Sequence, residues 1–207
     1  MTGKFIVFEG GDGTGKTTQV NLIKEYLEKK GLSVVKTREP GGVETAEKIR
    51  NIILEDNIDP VTEALLFAGA RREHLKEKVI PALNDKKVVL CDRFVYSSLA
   101  YQGHARCLGI ENVYNINQFA IEGLMPDLTI LLELDSVNDG LERINTNRSS
   151  EINRLDLEGL DFHNKVREGY SKIAEMFPEN HCIKINASQP IASVFEDIKK
   201  ALATIGL

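Results

Sequence analysis

With 207 residues, the chain is long enough to bury a sizeable core as one domain without disulfides or a structural metal. Hydrophobic residues make up 42% and charged residues 28%, which excludes a disordered or fibrous chain. The formal net charge of −5 argues against a protein that grips a nucleic-acid backbone, a task that needs a basic face.

In chain order, Lys4 to Phe8 is a short apolar run that ends at glycines, and Gln19 to Lys30 then sets Val20, Ile23 and Leu27 at helical spacing among charges. This reads as strand, turn, helix. Leu32 to Lys36 is a second, β-branched run behind the helix-stopping Gly31, and a helical stretch from Thr62 to Leu83 leads into a third strand, Lys87 to Cys91. Leu128 to Leu134 and His181 to Ile185 make the fourth and fifth strands, and Ile191 to Leu202 is a final amphipathic segment. Strands alternating with helices predict a parallel sheet covered on both faces, that is, a three-layer α/β/α fold with five strands. No repeat, low-complexity tract or linker divides residues 1–207, so one domain is expected. The polar stretch Asn145 to Asn153, which holds Arg148, Ser149 and Ser150, reads as a mobile loop.

Cys91, Cys107 and Cys182 are odd in number and lack zinc or redox spacing, which fits a reducing cytoplasm. Cys91 lies in the apolar run Val88 to Cys91 and reads as a core residue. The histidines His74, His104, His163 and His181 are scattered without ligand spacing. No charged segment followed by a long apolar one opens the sequence, and no run reaches the length of a membrane span, so neither secretion nor insertion is expected.

Gly10-Gly11-Asp12-Gly13-Thr14-Gly15-Lys16-Thr17 matches G-x-x-x-x-G-K-[ST] between a predicted strand and a predicted helix. Glycines let the backbone curl so that successive N–H groups point at phosphate oxygens, and the helix adds its positive end. The pattern predicts that Lys16 reaches the β and γ phosphates of ATP and that the Thr17 hydroxyl ligates Mg²⁺. By itself it does not separate a kinase from a GTPase or a motor ATPase. Asp92 ends the strand Val88 to Cys91 at the carboxyl edge of the sheet, where it can hold Mg²⁺ directly or through water. Arg93 follows, suited either to a second phosphate-bearing substrate or to an internal ion pair with the neighbouring carboxylate. The GTPase signature N-K-x-D is missing.

Three segments in order carry a resemblance over essentially the whole chain: Phe8 to Thr18 with its acidic Asp12, Thr37-Arg38-Glu39-Pro40-Gly41-Gly42, and Asp92-Arg93-Phe94 through Ser97-Ser98-Leu99-Ala100-Tyr101-Gln102-Gly103. Together they resemble the thymidylate kinase family, in its bacterial form. The resemblance implies transfer of the ATP γ-phosphoryl group to dTMP and a homodimer. It implies that Arg38 and Arg93 clamp the acceptor phosphate, a task suited to guanidinium forks, and that Asp12 lies near the 3′-hydroxyl of the sugar. It further implies that Phe67 stacks on the base while Arg71, four residues on, donates to a base carbonyl. A core Phe and a solvated Arg remain the alternative. Tyr101 is placed against the 2′ position, and Ser98 and Gln102 in the base pocket. Position 13 is Gly where some members carry an arginine, so the catalytic cation is sought in a short lid at about 143–155, with Arg148 first and Arg143 or Arg154 as alternatives. Lys16, Asp12, Arg93 and Arg148 are thus the catalytic candidates. Glu39 reads either as a group near the substrate phosphate or as a partner for Arg38. Asn186 to Pro190 is similar to the loop that holds adenine. A kinase for another nucleotide and an ATP-switched binding protein are the competing readings.

Overall fold

Five parallel strands, β1 (Lys4–Glu9), β2 (Val34–Arg38), β3 (Val88–Asp92), β4 (Leu128–Glu133) and β5 (Cys182–Asn186), pair in the order β2-β3-β1-β4-β5 in a computed structural model of the chain. The structure describes residues 3–147, 154–155, 157–177 and 180–207. β1 is the middle strand because its alternating side chains are apolar on both faces. Phe5 and Val7 pack with Val89, Cys91, Leu99 and Val166 on one side. Ile6 and Phe8 pack with Val20, Ile23, Leu90 and Ile130 on the other. Each such fully buried side chain is worth ~1.5–3 kcal/mol, more than a typical exposed ion pair at ~0–1 kcal/mol, so burial on the two faces fixes the layers. Cys91 is a buried core residue, as its sequence context predicts.

The helices that cover these faces are α1 (Lys16–Lys29), α2 (Glu44–Glu55), α3 (Pro60–His74), α4 (Ile80–Asn84), α5 (Val95–Ser98), α6 (Ile110–Ile121), α7 (Val137–Asn147), α8 (Leu160–Met176) and α9 (Ile191–Ala203). The predicted helix Thr62 to Leu83 is α3 and α4 joined by a π-helical turn, Leu75–Val79. Asp59 starts it by accepting from the backbone N–H groups of Val61 and Thr62, with Pro60 in the first turn. The strands β2, β3 and β5 end one to two residues later than their apolar runs, because the ladder extends through Arg38, Asp92 and Asn186 after the hydrophobic pattern stops. α7 continues through Asn147, so its last residues are helical where a loop from Asn145 was expected. Arg148 and residues 149–153 of the expected lid lie outside the described residues. Among the described residues no helix is long and apolar enough to cross a membrane.

Sheet register positions the site. Asp92 pairs with Phe8 on one side and Arg38 on the other, so the phosphate loop, the segment after β2 and the segment after β3 leave the sheet at one level. In an open α/β sheet this carboxyl edge is where ligands bind.

Candidate active site

Gly10, Gly13 and Gly15 have φ values of 135°, 73° and 85°, where only glycine is unstrained. At Gly13 space is missing too, since a Cβ there would overlap the Gly140 carbonyl of α7. A side chain at position 13 is therefore incompatible with this contact between the loop and α7. Lys16 is 7% exposed, and its Nζ donates to Gly10 O at 3.0 Å and Gly11 O at 2.7 Å. Burial is the main cause that brings its pKa down to about 8, with Arg93 adding to the shift and Asp92 and Asp12 opposing it.

The Thr17 hydroxyl donates to Asp92 Oδ2 at 2.9 Å, bringing the two metal-ligand candidates together. Both offer oxygen, the donor type that Mg²⁺ prefers. Arg93, held at φ 72°, turns back over the phosphate loop. Its Nη2 lies 2.5 Å from Asp12 Oδ1 and 3.2 Å from the Tyr101 hydroxyl, and its Nη1 donates to Gly10 O, Ser97 Oγ and Tyr170 Oη at 3.1–3.2 Å. Tyr101 Oη donates to the other Asp12 oxygen. Burial pushes the Asp12 carboxyl up, but Arg93, Lys16 and the Tyr101 hydrogen bond outweigh it and hold its pKa at about 2.

Behind Arg93 stands Glu9, the fully buried last residue of β1. It accepts from the backbone N–H of Phe94 at 2.8 Å and of Ser97 at 3.2 Å, from Ser97 Oγ at 2.6 Å and from Tyr170 Oη at 3.1 Å. Ser97 and Tyr170 therefore join Glu9 to Arg93. Gly169 lets α8 come this close, since a Cβ there would lie 3.0 Å from Ala100 Cα. Burial raises the Glu9 pKa in spite of these donors.

At the other end, Phe67 lines the cleft, while Arg71 is 2% exposed beneath it. Arg71 Nε donates to Glu39 Oε2 at 2.7 Å, Nη1 to Ser98 Oγ at 3.1 Å and to Asn117, and Nη2 to Phe94 O at 2.9 Å. His74 Nδ1 lies 3.0 Å from Glu39 Oε1, and its Nε2 lies 2.7 Å from Thr37 Oγ1. Burial would raise the Glu39 pKa, yet Arg71 and His74 hold it low. The whole forms one cleft of about 1100 Å³ from Lys16 and Thr17, past Asp12 and Arg93, to Phe67 and Gln102. That exceeds the usual ~300–1,000 Å³ of a single small-molecule pocket, so the cleft has room for a donor and an acceptor.

A family model described as thymidylate kinase matches residues 8–198. The chain belongs to the thymidylate kinase family. A thymidylate kinase of Clostridium novyi (strain NT) is 54% identical over 95% of this chain and 97% of its own. One of Geobacillus sp. (strain WCH70) is 57% identical over 94% and 93%. The crystal structure of thymidylate kinase from Ehrlichia chaffeensis superposes with a TM-score of 0.79 at 33% identity, over 98% of this chain and 99% of that one.

For this thymidylate kinase family member, the structure brings most of the predicted residues to one cleft. Asp12 to Thr17 form its floor at one end, and Arg38, Asp92, Arg93, Ser98, Tyr101 and Gln102 line the remainder; Gly10 and Gly11 lie outside this lining. Arg38 is half-exposed and bonds Pro40 O at 2.8 Å and Glu47 at 3.1 Å. Two readings change. Glu39 is not the partner of Arg38, because its carboxylate faces inward to Arg71 and His74. Arg71 is not the solvated side chain of the alternative reading, since it is 2% exposed and four of its N–H groups are taken by buried acceptors. Of the alternatives to Arg148, Arg143 lines the cleft beside Gly13, whereas Arg154 is turned away to Glu63 and Ile53 O. Glu9, Ser97, Tyr170 and Glu63 escaped the sequence reading. An acid closing an apolar strand was the available signal for Glu9; Tyr170, on a distant helix, gave none.

Proposed function

We propose that this chain is an ATP-dependent dTMP kinase, transferring the γ-phosphoryl group of ATP to dTMP to give dTDP and ADP. The Thr17–Asp92 pair at the head of a phosphate loop, facing Arg38 and Arg93 across the same cleft, is the observation that carries the reading. One end suits a nucleoside triphosphate with its metal, and the other suits a second phosphate. Full-length relatives named thymidylate kinase support the base.

In this reading the loop N–H groups and Lys16 bind the β and γ phosphates. Thr17 and Asp92 hold Mg²⁺, which supplies charge neutralisation at those phosphates when bound. Arg93 and Arg38 orient the dTMP phosphate, which places the acceptor oxygen in line and offsets repulsion between two anions. Asp12, ionised and oriented by Arg93 and Tyr101, accepts from the 3′-hydroxyl, and the Tyr101 ring occupies the space a ribose 2′-hydroxyl would need. Phe67 stacks on the base above Arg71, with Ser98 and Gln102 at its polar edge. Asn186 to Pro190 borders adenine. A lid at about 143–155 brings Arg148 or Arg143 over the transferring group and excludes water.

The reading extends to one domain over residues 1–207, a cytoplasmic location and a homodimer. Phe119 on α6 is 90% exposed, with Leu65 and Val61 on the adjoining α3 at 53% and 49%, an apolar face suited to a second copy. ADP release with ATP and dTMP together, measured against ATP alone, tests the activity. A large excess with dTMP supports a kinase, and equal turnover without it supports an ATP-switched binding protein.

A further inference from the structure

Gln102 is 1% exposed and lies on the π-helical segment Leu99–Ala105, lining the cleft near Ser98 and Tyr101. Its Nε2 donates to Glu63 Oε1 at 2.9 Å. Glu63 is also 1% exposed, on α3 one turn before Phe67. Arg154 Nη2 bonds its other oxygen, and Arg106 Nε lies 3.5 Å from Oε1. Both arginines are tied down, Arg154 to Ile53 O at 3.0 Å and Arg106 to Glu158 at 2.6 Å. A carboxylate between two guanidinium groups has only lone pairs to offer. The Gln102 amide has one donating and one accepting end, so its NH₂ must turn to Glu63. The carbonyl oxygen is then the end left for the cleft.

We propose that Glu63 is a specificity-determining positioning residue. By fixing the Gln102 amide it presents a carbonyl acceptor to the nucleotide base and selects a pyrimidine with an N3–H donor over one whose N3 carries a lone pair. The proposal rests on the dTMP kinase reading. Thymine and uracil carry the N3–H. Cytosine would set its N3 lone pair against the Gln102 oxygen, and a site built around a buried hydrogen-bonding group rejects a ligand that leaves it unpaired.

The test compares kcat/KM for dTMP, dUMP and dCMP in the wild type, Glu63→Gln and Arg154→Gln, with the KM for ATP and thermal melting as controls on the fold. A glutamine at 63 can offer Gln102 either a donor or an acceptor, so the amide is free to turn. The dTMP-to-dCMP ratio is then expected to fall about tenfold or more, with dUMP falling in step with dTMP and the KM for ATP unchanged. Arg154→Gln leaves the carboxylate facing Gln102 and should keep the ratio, whatever it does to turnover. An unchanged ratio in a normally melting Glu63→Gln protein overturns the proposal, as does an equal loss of ratio in Arg154→Gln. If Glu63→Gln does not fold, Glu63→Asp, one methylene short of Gln102, carries the same expectation and the same overturning result. A wild-type enzyme indifferent between dTMP and dCMP would defeat the dTMP kinase reading instead, a separable outcome.

Discussion

Arg93 and Asp12 meet over the phosphate loop, with Nη2 2.5 Å from Oδ1, although 81 positions separate them in the chain. The contact ties the segment after β3 to the loop after β1. Asp12→Asn removes the charge that holds Arg93 there and weakens the expected acceptor contact. Misplacing a positioning group by about 1 Å costs ~10²-fold in rate, so kcat/KM for dTMP should fall by about that factor while the KM for ATP changes little. Steady-state kinetics with each substrate varied in turn checks this, and equal losses for both substrates would count against it.

Lys16 has a pKa brought down to about 8 by burial. The free enzyme then loses the loop ammonium as pH rises through about 8, and kcat/KM for ATP, which reports the free enzyme, should fall over that range. Stability moves the other way. Between the folded value and the ordinary lysine value the unfolded chain binds more protons, so this group makes folding more favourable as pH climbs. A flat kcat/KM profile to pH 10 would show that burial does not bring the Lys16 pKa down to about 8.

Asp92 orients the Thr17 hydroxyl at 2.9 Å. Asp92→Asn keeps the shape but loses charge beside the proposed metal position, and such a change typically costs ~10–100-fold in metal affinity or activity. Half-saturating Mg²⁺ should rise accordingly in a titration at fixed ATP, with the melting temperature close to wild type. An unaltered Mg²⁺ dependence would contradict the assignment.

Arg71 pairs with Glu39 at 2.7 Å, with side chains 2% and 3% exposed. Arg71→Ala takes the guanidinium away from that carboxylate, which keeps His74, and leaves Ser98 and Asn117 short of a donor, so urea unfolding should show a loss of about 3–5 kcal/mol. Phe67→Ala leaves this network alone. It should instead raise the KM for dTMP about tenfold, in line with ~1–3 kcal/mol for a base on an aromatic ring.

The parts legible in the sequence are those written in consecutive residues. Apolar periodicity gave the five strands and the main flanking helices, and Gly10 to Thr17 carries its loop geometry in its own glycines. Strand ends are not legible where polar residues such as Asp92 extend the ladder beyond the hydrophobic run. Partner choice was less visible. Arg38 and Glu39 are adjacent in sequence, yet successive side chains point to opposite sides of extended backbone, which sends Glu39 inward to Arg71 and leaves Arg38 at the cleft. Glu63, Gln102 and Arg154 come from three separate elements, and only the fold joins them.

In the function proposed for it, the cleft takes thymidylate as the phosphoryl acceptor. The most direct measurement is ADP release from ATP with dTMP, dCMP, AMP and GMP, each at the same subsaturating concentration. We expect dTMP to be preferred over each of the others by at least about two orders of magnitude, since a base pocket built on hydrogen bonds rejects mismatched edges strongly. Comparable rates with dCMP, AMP or GMP would contradict it.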